Sequence, residues 1–163
     1  MVTTMTANQL FSIVNPVALL GWVLLAVFPR RRWAADIVCG WVLPALLGGV
    51  YVALIAANWR GSPGGFSSLP EVAQLFSNPW LLLAGWVHYL AFDLFVGSWI
   101  VRDARSRSIA HLLILPSLIL TFLFGPAGWL SYLLLRALVR ARPSAATAQV
   151  GDGDSDRLSS SLS

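Results

Sequence analysis

The sequence predicts an all-α integral membrane protein, a bundle of four transmembrane helices whose last member is kinked or broken at Gly125 and Pro126. Three observations lead there. Only 11% of the 163 residues are charged and 57% are hydrophobic, against roughly 25% charged in an ordinary soluble domain. The mean hydropathy is +0.72, and the apolar residues gather in blocks near the roughly 20 residues that cross a bilayer as helix. All basic residues are arginines, most of them just beyond those blocks, where topology signals belong. A soluble enzyme is excluded. The net charge of +4 reads as topology rather than as a nucleic-acid surface, so no nucleic acid partner is expected. The expected partners are the lipid bilayer, a lipophilic ligand, and a second copy or a partner helix.

The first span covers residues 7–28. Thr6 and Gln9 have the spacing of a capping box at its start, and Pro29 with Arg30, Arg31 and Arg32 stops it. No basic stretch precedes it and no small-residue cleavage site follows, so it reads as a retained helix and not as a signal peptide. Asn15 and Pro16 lie inside, where the proline bends the helix and Asn15 is either satisfied at the bend or faces a site. The second span covers 34–58 and carries Ala45, Gly49, Ala53 and Ala57 at four-residue steps, a ridge that predicts a helix-packing seam. Pro44 and the pair Gly48, Gly49 weaken it locally.

The polar stretch that follows predicts a short amphipathic helix at 68–77. Ser68 and Glu71 fit a capping box, Pro70 suits a first turn, and Leu69, Val72, Leu75 and Phe76 share one face that lies on the membrane or caps the bundle. Asn78 and Pro79 open the third span, 79–101. The fourth apolar block, 109–138, would be about 45 Å long as helix, beyond a hydrocarbon core of roughly 30 Å. It must tilt, protrude or break, and FGPAGW is the break point, with Pro116 adding a kink. Residues 1–141 thus form one transmembrane domain, and the polar residues 142–163 read as a disordered tail. With four spans the arginines divide almost evenly, Arg30, Arg31, Arg32, Arg102, Arg105 and Arg107 against Arg60, Arg136, Arg140, Arg142 and Arg157. A fourth segment turning back at Gly125 would put all but Arg60 on one side, but its halves are short for spans. The reading keeps four spans, with the amino terminus outside.

The chemistry lies in the third span, where GWVHYLAFDLFVGSWIVRD sets His88 and Asp93 among apolar residues. An ionisable group inside a membrane costs several kcal/mol unless it is partnered or faces a cavity. At 100° per residue Asp93 shares a stripe with Trp86, Tyr89 and Gly97, and His88 one with Phe92, Phe95 and Trp99. Asp93 is either a proton-exchanging carboxyl or a hydrogen-bonding tie between helices. No metal or cofactor is expected: His111 is the only other histidine, Cys39 stands alone, and there is no acidic cluster, Walker, Gly-x-Gly or zincin pattern. The spans hold neither an arginine ladder nor a pair of similarly broken segments, so transport is unsupported. What remains is an aromatic-rich bundle with one acid and one imidazole, suited to a long lipophilic ligand such as a polyene.

The run from Gly61 to Ala104, GSPGGFSSLPEVAQLFSNPWLLLAGWVHYLAFDLFVGSWIVRDA, followed by LTFLFGPAGWLSYLLLRAL, resembles the abscisic acid-deficient four family, whose plant plastid members are required for neoxanthin formation. The similarity rests on Phe76 and Asn78, on Trp86, His88, Asp93, Leu94, Phe95 and Asp103, and on Gly125, Pro126 and Gly128, and it covers about residues 10–138. It implies a four-helix membrane protein associated with carotenoids and with turning an epoxy-xanthophyll into an allenic one. The chain lacks the plastid transit segment of the plant members and resembles the bacterial relatives, which implies a bacterial cytoplasmic membrane. Opening an epoxide to an allene needs an acid at the oxygen and a base at a polyene proton, without redox change. Asp93 and His88 are the catalytic candidates, and Asn15, Trp86, Tyr89, Phe92, Phe95, Gly125 and Pro126 the ligand-binding ones. The alternatives are a noncatalytic pigment-binding or membrane-assembly protein and, behind it, a small transporter.

Overall fold

A computed structural model describes residues 5–29 and 31–140, so the tail predicted for 142–163 lies outside the described residues. These residues form six helices with no strand among them. Helix α1, Ala7–Val27, starts as predicted: the Gln9 amide donates to Thr6 Oγ1 at 3.3 Å and the Thr6 amide to Gln9 Oε1 at 2.8 Å. Helix α2, Trp33–Asn58, opens with ten residues of π-helix, Trp33–Val42, before winding as α from Leu43. In that register the Leu43 amide bonds back to the Val38 carbonyl. Gly40 permits the winding, since a Cβ there would lie 2.8 Å from the Ala35 carbonyl oxygen. Pro44, with no N–H to place, follows at the change of register.

The α2 interface corrects the expected seam. Ala45, Gly49, Ala53 and Ala57 all face outward, and a Cβ on Gly48 or Gly49 would meet nothing within 4 Å. Leu47 and Leu54 are buried instead, against Leu83, Ala84, Val87 and Ala91. The small side chains that permit the close approach are thus on the facing helix, and large residues of α2 fill the space above them.

Helix α3, Leu69–Leu75, is shorter than predicted and buries Leu75, while Leu69 points outward. Asn78 joins the loop to the bundle: it caps helix α4, Pro79–Ser106, through the Trp80 amide at 3.0 Å and donates to Ser62 Oγ at 3.0 Å. With 28 residues α4 is the longest element, and it packs against α1, α2 and the helices that follow. It outruns the predicted end at 101 because its last turns find partners, Arg105 Nη2 on Asp36 Oδ1 at 2.5 Å and Asp103 on the last helix.

The fourth apolar block, 109–138, is not one continuous helix: it divides at Gly125 and Pro126, where the sequence places the break, but the chain then turns back rather than continuing. It forms helix α5, His111–Phe124, and helix α6, Pro126–Arg140, and α6 folds back along α5. Ser131 Oγ donates to Ser117 Oγ at 2.9 Å, a contact that a continuous helix would stretch to about 21 Å. Gly128 lies on Thr121 so closely that a Cβ would overlap its backbone nitrogen and hydroxyl. The return is fixed at its far end, where Tyr132, fully buried, donates to Asp103 Oδ2 at 2.6 Å. Arg107 Nε reaches the same oxygen at 2.8 Å and Arg136 Nη1 at 3.5 Å. Asp103 is therefore a largely buried tie between α4 and α6, not the solvated charge cluster that its arginine neighbours imply. Three helices, α1, α2 and α4, are long and apolar enough to cross a membrane. At 14 and 15 residues, α5 and α6 reach only about 21–23 Å each, short of a roughly 30 Å core.

Candidate functional site

The tip of the α5–α6 hairpin rests on the middle of α4, and Asp93 is the residue it meets. Gly125 is the tip, with φ +42°, a left-handed conformation that side-chain-bearing residues rarely adopt. A Cβ at this position would lie 2.6 Å from Asp93 Oδ1 and 3.2 Å from Oδ2, so backbone approach and conformation both demand glycine. Pro126 follows as the first residue of α6, where its missing N–H costs no helical bond. Asp93 is 8% exposed, and its Oδ2 is buried with no hydrogen-bond partner.

From Asp93 a polar and aromatic line runs along α4 towards its amino-terminal end. Tyr89, one turn back on the same face, donates from its hydroxyl to the Phe122 carbonyl at 3.3 Å, near the hairpin tip. Trp86 stands 5.4 Å from Tyr89 with the rings inclined by 32°, and 6.0 Å from Phe11 of α1. Its indole Nε1 donates to Asn15 Oδ1 at 2.7 Å. Asn15 is thus the polar partner that lets a tryptophan lie in an apolar span with its N–H satisfied. Phe76 approaches Gly85 closely, 3.0 Å from where a Cβ would be. The result is an open groove of about 350 Å³ lined by Phe76, Leu82, Gly85, Trp86 and Tyr89. A second cavity of about 320 Å³ shares Leu82 and Trp86 with it and is also lined by Phe11, Pro79 and Leu83.

The predicted site residues fall in three places. Asn15, Trp86, Tyr89, Asp93, Gly125 and Pro126 belong to the side of α4 that faces α1 and the hairpin. His88 and Phe92 belong to another side, where the imidazole stacks on Phe92 at 4.6 Å and stands 5.4 Å from the Tyr51 ring of α2. Phe95 is exposed on the outer surface. The stripes read from the sequence already separated His88 from Asp93, and the structure does not bring them together. Phe76, which the sequence places on the loop-helix face and in the family pattern, lines the groove, and so does Gly85, while Phe11 packs on Trp86; none of the three is among the predicted site residues. Gly85 leaves room for a ring on that face, but no local pattern pairs it with Phe76. Among the described residues no three His, Cys, Asp or Glu side chains gather as a metal site would require.

A buried carboxyl with one unpaired oxygen seeks a partner from whatever enters beside it, and in its neutral form it can give that partner a proton. The groove, one helical turn from Asp93 at its Tyr89 edge, is open and aromatic, and it suits a flat hydrocarbon better than a compact polar solute.

Residues 9–132 match the family described as ABA DEFICIENT 4-like. No curated protein and no solved structure matches the chain.

Proposed function

The chain belongs to the ABA DEFICIENT 4-like family of helical membrane proteins, and on that basis we propose that it binds a carotenoid in the Trp86–Tyr89 groove and isomerises it without redox change. The observation that carries this reading is the buried, unpaired Asp93 oxygen against the Gly125 turn, one helical turn beyond an aromatic groove. With an epoxy-xanthophyll as substrate the steps balance. Asp93 gives its proton to the epoxide oxygen as a C–O bond opens, and positive charge spreads into the polyene. The resulting carboxylate takes a proton from the neighbouring polyene carbon, and the electrons of that C–H bond form the allene. One carboxyl returned to its starting state serves both steps, so His88, on another face, is left to the packing of α4 on α2.

In this reading α1, α2 and α4 cross a bacterial cytoplasmic membrane and α5–α6 enters it only part way. Arg31, Arg32, Arg102, Arg105, Arg107, Arg136 and Arg140 then share one end, with Arg60 at the other, and the positive-inside rule makes the rich end cytoplasmic.

The test is expression of the wild-type chain and of Asp93→Asn in a host that makes epoxy-xanthophylls, followed by chromatography of total and co-purified pigments. Conversion by the wild type alone, with pigment bound to both, is the expected result. Full conversion by Asp93→Asn removes Asp93 from the chemistry. Pigment bound by both chains and altered by neither favours the second reading, a noncatalytic pigment-binding or assembly protein in which Asp93 ties α4 to the hairpin.

A further inference from the structure

A further cavity lies away from that groove, at the arginine-rich end, and its lining is amphiphilic. It holds about 590 Å³ between the α1–α2 connection, the end of α4 and the start of α5. Val27, Val101, Ala104, Ile109 and Ile114 form an apolar floor, and Arg31, Arg105, Ser108 and His111 supply the polar groups. From these we infer that the cavity is a binding site for the anionic headgroup of a membrane phospholipid, with the phosphate held by Arg105 and Arg31 and the acyl chains lying along the apolar floor.

Three features converge on an anion. Arg105 spends one side of its guanidinium on Asp36, through Nη2, while its Nη1 is buried with no acceptor. Arg105 also lines the cavity, and a phosphate oxygen is the acceptor that a guanidinium's planar fork fits best. Asp36 offsets one of the two arginine charges. Asp103, the other carboxylate of this end, is turned away and already shared by Tyr132, Arg107 and Arg136. The cavity therefore keeps an unbalanced positive charge. His111 donates from Nε2 to the Ala26 carbonyl at 3.0 Å, which leaves Nδ1 of the neutral ring as an acceptor for a headgroup hydroxyl or for water.

Ser108 is the third feature. It holds φ +55° at the turn between α4 and α5, where the Ile109 amide closes on the Ala104 carbonyl at 2.9 Å. Glycine is the least strained residue at such a helix end, yet the chain carries a hydroxyl there, in the cavity lining. A hydroxyl beside an arginine pair is a further donor to a phosphate. The position along the bundle selects the source: the cavity is at the end where charged residues end the spans, at headgroup depth, and its floor is as apolar as the bilayer beneath.

The test is native mass spectrometry of the full chain in detergent, titrated with phosphatidylglycerol, with phosphatidylcholine of the same acyl chains, and with glycerol 3-phosphate. Phosphatidylglycerol should bind about tenfold more tightly than phosphatidylcholine. Arg31→Gln and Arg105→Gln should each reduce that preference to below about threefold. Because Arg105→Gln also releases Asp36, the exposed Arg31 carries the comparison if the former variant fails to fold. Equal binding of the two lipids, or an unchanged preference in a folded Arg31→Gln chain, overturns the proposal. Binding of glycerol 3-phosphate as tight as that of the lipid overturns the lipid source and assigns the site to a soluble phosphate ester.

Discussion

Asp93 and Gly125 are each explained by the other. A carboxyl in an apolar span is legible in the sequence as a cost that something must offset. Its neighbour at the hairpin tip is not, because no local pattern links two residues so far apart in the chain. The same holds for Asn15, readable as a polar residue beside a proline, whose meaning came only with the Trp86 indole at 2.7 Å. Replacing Gly125 with alanine forces a side chain into the left-handed region and against Asp93 Oδ1 at once. We expect Gly125→Ala to cost about 2–4 kcal/mol, visible as a lower midpoint of unfolding in detergent. In an Asp93→Gly background the overlap is gone and only the backbone term remains. The two effects should therefore be less than additive by about 1 kcal/mol or more. At Trp86, exchange for phenylalanine leaves the Asn15 amide without its donor and should cost about 1 kcal/mol.

Among the elements, the α5–α6 hairpin departs most from the sequence reading. The break at FGPAGW is plain from a glycine, a proline and a second glycine in one apolar block, and Gly125 does end α5 there. The direction of the chain after the break is not local information. It is set by Gly128 lying on Thr121, by the Ser131–Ser117 bond and by Tyr132 reaching Asp103, contacts that a sequence window cannot pair. The π-helical opening of α2 is likewise invisible to a 3.6-residue period, although Gly40 and Pro44 mark where it is permitted. If these ties hold the hairpin, Gly128→Leu should separate α6 from α5. Tyr132→Phe, which leaves Asp103 with only arginines, should cost about 1–3 kcal/mol. Hydrogen exchange along α6 should speed up in both variants while α1 keeps its protection.

For the whole molecule, the proposed number of spans rests on that hairpin. Composition and hydropathy identify a helical membrane protein, and three of the four expected spans correspond to helices, α1, α2 and α4, that are long and apolar enough to cross a membrane. The fourth, 109–138, is expected to break at Gly125 and Pro126 yet continue across, and its two halves instead form the antiparallel helices α5 and α6. An impermeant thiol reagent tests the arrangement on chains with Cys39 replaced by alanine and one new cysteine at Ser67, Arg107 or Arg140. Arg107→Cys and Arg140→Cys should be labelled from the same side and Ser67→Cys from the other, whereas four full spans would put position 140 with position 67. The proposed chemistry needs this architecture, since only the return of the hairpin sets Gly125 on Asp93 midway along α4. The most direct measurement is a time course of purified protein in micelles with an epoxy-xanthophyll, resolving product by retention and by mass. The account predicts a product of unchanged mass from the wild type, formed at least about a hundredfold more slowly by a folded, pigment-binding Asp93→Asn chain. A product of altered mass, or equal rates from the two chains, would contradict it.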